Sequence, residues 1–142
     1  MNKRFDDIAD WFEKLSPETL GAIDLIYAPK ATFIDPFNAV HDREMIKAIY
    51  QHMFKSLEQP KFKIIRKIVA DSSACMIWRF SFGLRNTYFD FEGSTVFEIN
   101  DQGLITLHHD YWDPSRELYE HIPLLGRIFR KLRLMLAQKQ SH

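Results

Sequence analysis

Residues 91–113 read FEGSTVFEINDQGLITLHHDYWD. Phe91, Gly93, Thr95 and Phe97 alternate with Glu92, Ser94 and Glu98, the period of a strand with one apolar and one polar face. Asn100-Asp101-Gln102-Gly103 is turn chemistry, and the β-rich run LITLHHDYWD follows it. This is a hairpin. In its second arm His108, Asp110 and Trp112 share one face, and His109, Tyr111 and Asp113 share the other. Parity alone does not choose which set points inward.

The same signal extends backward. Residues 61–70, 73–84 and 87–99 are β-branched and aromatic, separated by Asp71-Ser72 and Arg85-Asn86. With residues 104–113 they predict four long strands in an antiparallel meander. Trp78, Phe80 and Phe82 share one face of the second strand, which matches the face carrying Phe89, Phe91, Thr95 and Phe97 on the third. Both aromatic faces are expected to look toward the helices, with Arg79 on the opposite face beside Asp90 and Glu92.

Ahead of the meander the period becomes helical. Phe5, Ile8, Trp11, Phe12 and Leu15 predict a first helix. Ser16 and Pro17 suit the start of a second, over about 17–27, which Pro29 stops. A short strand over 31–35 ends at Pro36. A third helix over about 43–57 carries Met45, Ile46, Ile49, Met53 and Leu57, with Asp42 as its cap. Helical spacing returns over 115–138. Helices segregated from strands give an α+β fold, a curved antiparallel sheet wrapped by N-terminal helices into a cone. The expectation is one domain over 1–142, with a core over about 5–114 and a helical extension over about 115–139.

Composition sets the outer bounds. The chain has 142 residues, 46% hydrophobic and 14% aromatic, which excludes a disordered or low-complexity protein. Cys75 is the one cysteine, so no internal disulfide and no multi-cysteine metal site is possible. Nineteen Lys and Arg balance nineteen Asp and Glu, so a basic field suited to nucleic acid is absent. The N-terminus MNKRFDDIADW lacks an apolar signal core, and no apolar run approaches the ~20 residues of a membrane span. A cytoplasmic protein is expected. From Arg127 to His142 five basic residues stand without an acidic one. The stripe of Leu125, Ile128, Phe129, Leu132 and Leu136 within 124–136 suits packing on protein, with an anionic membrane surface as the less favoured partner.

Three stretches together carry a resemblance. ATFIDPFNAVHDREMIKAIYQHMF, FEGSTVFEINDQGLITLHHDYWD and ELYEHIPLLGRIFRKLRLML resemble, in this order, segments of the nuclear-transport-factor-2-like superfamily, which includes ketosteroid isomerases and SnoaL-like polyketide cyclases. The last stretch resembles that of a bacterial SnoaL-like subgroup. The resemblance implies that Asp35 falls on the proton-shuttling base of the isomerase pattern. It places Trp11 on that pattern's oxyanion-hole tyrosine and Thr95 on its oxyanion-hole acid. Two of three catalytic groups are thus replaced, which weakens the main electrostatic term and argues against steroid isomerisation. It also turns His108, Asp110 and Trp112 inward, where an Asp–His pair resembles the acid/base arrangement of the cyclases. It implies a homodimer through the outer sheet face.

Each candidate has two readings. Asp35 is either a desolvated base at the rim of an apolar pocket or the acceptor of an Asx turn. His108 and Asp110 form either an acid/base pair or a self-satisfied buried pair. The histidines show no ligand spacing, and adjacent His108 and His109 face opposite ways, so no metal is expected. No cofactor is expected either. Cys75 reads as a small strand residue. The expected ligand is a small apolar molecule in a cavity shaped by Trp11, Tyr27, Trp78, Phe80, Phe82, Phe91, Thr95 and Trp112. One function is cofactor-independent acid/base chemistry, an isomerase or cyclase acting on an apolar carbonyl compound. The alternative is a non-catalytic ligand-binding or dimeric interaction module.

Overall fold

The computed structural model describes residues 2–118, together with residues 127, 130 and 131. The chain divides into two compact units, Met1–Tyr111 and Trp112–His142. The first contains helix α1 (Asn2–Glu13), a 3-10 helix (Thr19–Leu25), strands β1 (Tyr27–Ile34) and β2 (Ala39–Val40), and helix α2 (Arg43–Ser56). Strands β3 (Glu58–Ala70), β4 (Ser73–Leu84), β5 (Thr87–Ile99) and β6 (Ile105–Tyr111) complete it. The second contains the short helix α3 (Pro114–Glu117), capped by the Asp113 carboxylate on the amides of Ser115 and Arg116. Apart from Arg127, Arg130 and Lys131, which are helical and exposed, the expected extension and its apolar stripe over 124–136 lie outside the described residues.

The architecture is α+β, as expected: a six-stranded, curved, unclosed sheet in the order β2-β1-β6-β5-β4-β3 with helices on its inner face. The meander β3–β6 is antiparallel throughout. β1 adds to it in parallel with β6, so the sheet is mixed. The register aligns the two aromatic faces, Trp78 with Gly93, Phe80 with Phe91 and Phe82 with Phe89. Gly93 is required there. A Cβ on it would lie 2.3 Å from the Trp78 ring, so the indole lies flat over the strand only because no side chain intervenes.

The segment expected as a second helix differs. It forms a 3-10 helix, and Tyr27 opens β1 instead of closing a helix. Ser16 still caps locally, its hydroxyl accepting from the Thr19 amide at 3.1 Å. Pro29 sits inside β1, at the irregularity between Tyr27 and Thr32, where a residue without an N–H costs no ladder bond. Asp42 caps α2 through the Glu44 amide as expected. β6 ends at Tyr111, two residues before the expected end, because Asp113 is taken by the α3 cap.

The main core gathers Phe5, Ile8 and Phe12 of α1, Leu20 and Ile23 of the 3-10 helix, and Ile46 and Tyr50 of α2. They pack on Tyr27, Phe33, Met76 and Phe97 of the sheet. Each such side chain withdrawn from water contributes about 1.5–3 kcal/mol. α1 is fastened across the sheet by Arg4, whose Nε donates to the Gly103 carbonyl at 2.5 Å. It also covers the β3 edge, where the Glu13 carboxylate accepts the Ile64 amide and Lys67 pairs with Asp6. Among the described residues no helix is long and apolar enough to cross a membrane.

Candidate active site

Strand alternation places His108 and Asp110 on the inner face of β6, and leaves His109 and Tyr111 outside. His108 is 3% exposed. Its ring lies in an aromatic nest, with centroids 4.4 Å from Phe33, 4.9 Å from Phe97 and 5.6 Å from Phe12. An imidazole so enclosed must find its polar partners within the protein.

It finds them on both nitrogens. His108 Nε2 is 2.8 Å from Asp110 Oδ1, and Nδ1 is 2.7 Å from the Tyr27 hydroxyl. The Tyr27 hydroxyl is in turn 2.8 Å from that of Tyr50. On the other side Thr95 Oγ1 donates to the same Asp110 oxygen at 2.5 Å. It accepts from Trp78 Nε1 at 2.8 Å.

Chemistry fixes the direction of the protons that converge on Asp110. An indole N–H only donates, so the Thr95 oxygen accepts it and the Thr95 proton goes to Asp110. Asp110 Oδ1 therefore accepts, and His108 Nε2–H supplies its second bond. Beyond it, His108 Nδ1 shares one proton with the Tyr27 hydroxyl, and the Tyr27 and Tyr50 hydroxyls share another. Burial holds both phenols protonated, pushing Tyr27 and Tyr50 well above the usual tyrosine range. The hydrogen bond with Tyr50 partly offsets this at Tyr27, and the Asp110 charge adds to it at both. Arg43 anchors the chain's far end, donating from Nη1 to the Tyr27 carbonyl at 3.2 Å. Its Nε lies 3.2 Å from Asp24 without hydrogen-bond alignment.

A cavity of about 30 Å³ opens beside this chain. Tyr50, Thr95, His108 and Asp110 give it one polar side. Phe12, Phe62, Ile64, Met76, Trp78 and Phe97 give it an apolar one. That volume accommodates about a water molecule or two.

The expected site residues divide accordingly. Trp78, Thr95, His108 and Asp110 meet at the cavity. Tyr27 stands behind it, touching His108. Phe80, Phe82 and Phe91 are buried in a neighbouring aromatic group, with Phe80 stacked on Phe62 at 4.3 Å and Phe82 on Phe89 at 5.0 Å. Trp11 does not take the place of an oxyanion donor, because its indole N–H donates to the Thr19 carbonyl at 3.3 Å. Trp112 follows β6 and belongs to the second unit. Asp35 is away from the cavity lining and takes the Asx-turn role. Its Oδ1 accepts the amides of Phe37 at 2.8 Å and Asn38 at 2.6 Å, and Asn38 Nδ2 reaches both oxygens. Arg79 pairs along its own face with Asp90 at 2.7 Å and Glu92 at 3.1 Å. Among the described residues no three His, Cys, Asp or Glu side chains gather as a metal site requires.

Sequence reading omits Phe12, Tyr50, Phe62, Ile64, Met76 and Phe97 from the site. Tyr50 carries the one available signal, lying four residues after buried Ile46 on the same face of α2.

The comparisons agree with the fold. No curated protein matches the chain in sequence. A protein of Catenulispora acidiphila with a ketosteroid isomerase-like fold, solved with trimethylamine, is 18% identical over 81% of this chain and 88% of its own, with a TM-score of 0.68. A proposed SnoaL-like polyketide cyclase of Jannaschia is 12% identical over 78% of this chain and 85% of its own, at TM-score 0.68. An LEH-like epoxide hydrolase of M. tuberculosis is 16% identical over 81% of this chain and 84% of its own, at TM-score 0.65. At such identities these neighbours share the fold, and their activities remain theirs. The family model of the SnoaL-like domain matches residues 8–108, from the first buried isoleucine of α1 to the histidine of the relay, and the chain belongs to the SnoaL-like family.

Proposed function

We propose that the chain binds a small apolar carbonyl compound and moves a proton on it without a cofactor, with Asp110 as base, the water-sized cavity beside Asp110 widening to admit it. The observation that carries this reading is the tethering of one Asp110 oxygen. Both hydrogen bonds, from His108 and Thr95, end on Oδ1. Oδ2 carries none among the described residues, and the side chain is 15% exposed at the cavity. A carboxylate held by one oxygen and open at the other is oriented for proton abstraction. Oδ2 takes the proton from a carbon next to the carbonyl, the C–H electron pair becomes the enolate, and the Asp110 carboxylic acid, its proton exchangeable with solvent, reprotonates the enolate at the same or a different carbon. His108 positions the carboxylate, and Tyr27 and Tyr50 position His108. The Asx-turn geometry of Asp35 favours Asp110 over it as the base.

The test is α-proton exchange of a β-dicarbonyl, ethyl 2-methylacetoacetate, in D2O, followed by NMR. Wild type is expected to exceed the buffer rate and Asp110→Asn to fall to it. Equal rates for the two proteins sink the proposal.

A second reading is a dimeric interaction module, and the outer sheet face favours it. Register aligns Ile68, Cys75, Val96 and His109 in one row across it, and Arg66, Ile77, Ser94 and Tyr111 in the next. Ile68 is 48% and Tyr111 52% exposed, an apolar patch beside the Arg79 ion pairs. Sedimentation equilibrium checks it. Ile68→Glu should convert a dimer to monomer, and a monomeric wild type refutes it.

A further inference from the structure

A second concavity lies apart from the relay, between the 3-10 helix and α2. It is an open groove of about 540 Å³, within the roughly 300–1,000 Å³ range of small-molecule sites. Pro17, Leu20 and Phe54 supply apolar lining, and Lys47 and Lys55 supply the charge. Lys47, Phe54 and Lys55 stand at i, i+7 and i+8 of α2, so they share one helix face. Gly21 lies along the groove with nothing within 4 Å of where its Cβ would be.

Neither Lys47 nor Lys55 has a carboxylate partner among the described residues. The lysines are about 12 Å apart along the helix axis, too far to grip one head group together. Lys47 is half-buried and Lys55 exposed. The Lys47 ammonium is therefore less screened and is the better anion partner.

We infer that this groove binds a single-chain anionic amphiphile, with its carboxylate on Lys47 and its alkyl chain along Pro17 and Phe54. An apolar trough with one half-buried, unpaired cation matches that chemistry and disfavours neutral or cationic counterparts. The inference is independent of the proton-transfer reading, since no residue lines both cavities.

The test is calorimetric titration of the full chain with decanoate below its micelle concentration, beside decanol and decyltrimethylammonium. Saturable one-site binding of decanoate is expected, with decanol weaker and the cation weakest. Gly21→Phe puts a ring into the trough from a Cβ that meets nothing within 4 Å, and should weaken decanoate by on the order of tenfold or more. Lys47→Gln, an unpaired side chain on the groove face, should weaken decanoate by a similar factor and leave decanol unchanged. Lys55→Gln should have the smaller effect. Absent or non-saturable binding overturns the site, as does a decanoate affinity untouched by both Gly21→Phe and Lys47→Gln. Equal affinity for decanoate and decanol overturns the anionic head group.

Discussion

Thr95→Val removes a single oxygen and keeps the shape, and that oxygen joins the two halves of the buried chain. In wild type the hydroxyl accepts the Trp78 indole proton at 2.8 Å and donates to Asp110 at 2.5 Å. Thr95 is 2% exposed, so bulk water does not reach either bond. The stranded indole N–H costs about 1–3 kcal/mol, and the lost bond to the carboxylate about 1.5–3 kcal/mol. Asp110 keeps its bond from His108 and is partly accessible, which places the second cost at the low end. The added methyl gives back about 1 kcal/mol. Valine and threonine are both β-branched and both favour strands, so the backbone contributes little. The net expectation is a loss of about 1.5–3.5 kcal/mol, or a fall in Tm of about 5–12 °C for a chain of this size.

Urea unfolding followed by circular dichroism and tryptophan fluorescence measures it. Thr95→Ser is the control. It keeps the hydroxyl and loses a methyl, so it should cost about 1 kcal/mol. The reasoning fails if Thr95→Val lies within about 0.5 kcal/mol of wild type. It also fails if serine costs as much as valine, because packing and not the hydrogen bonds would then hold the site.

Gly93→Ala drives a Cβ to 2.3 Å from the Trp78 ring. A loss of at least about 1–3 kcal/mol is expected, with shifted Trp78 fluorescence, and an unchanged melting curve contradicts the close approach. Tyr27 and Tyr50 have folded pKa values raised above their unfolded ones. Their contribution to stability is whole below about pH 10 and is lost as pH rises toward the folded values. Wild type should therefore lose stability above about pH 10 more steeply than Tyr27→Phe/Tyr50→Phe, as chemical denaturation at a series of alkaline pH values will show. Asp42 has the opposite sign, its carboxyl held below the usual range by the Glu44 amide and Lys30. Its help is present above about pH 4 and disappears as pH falls through the folded value, so the wild-type margin over Asp42→Ala should vanish in acid, and a margin that persists at pH 2 refutes the cap.

Much of the fold is legible because the meander obeys one rule. Strict alternation from Met76 to Phe97 fixes faces, and faces fix register. The 17–27 segment breaks that legibility, since Leu20, Ile23, Ile26 and Tyr27 fit a helical stripe as well as a 3-10 turn entering a strand. What decides between them is tertiary. The Ile26 carbonyl accepts the Ile105 amide at 2.8 Å, a partner far away in sequence. The site is legible in the same uneven way. His108 and Asp110 follow from parity once the inner face is known. Tyr50 does not, because nothing in α2 signals that its hydroxyl will meet that of Tyr27. Asp35 shows the limit of resemblance: the residue type sits in the expected place, but Asn38 three residues later turns the carboxylate back on its own loop.

The relay separates two demands that one carboxylate ordinarily confuses. A buried acid needs hydrogen bonds to be tolerated, and a base needs an oxygen free to react. Here Thr95 and His108 satisfy the first demand at Oδ1, leaving Oδ2 for the second. The cost falls on oxyanion stabilisation, because the donors that resemblance would place there are already committed. The Trp11 N–H goes to Thr19 and the Thr95 O–H to Asp110. A site with an oriented base and no spare donor lacks the term that usually contributes most to carbonyl chemistry. Its substrates should therefore be those whose carbanion is already stabilised, such as β-dicarbonyls, rather than simple ketones. Exchange rates across a series of rising C–H acidity should then diverge from buffer only at the acidic end. A cyclohexanone rate as large as that of a β-dicarbonyl would mean that a donor other than Trp11 or Thr95 serves the oxyanion.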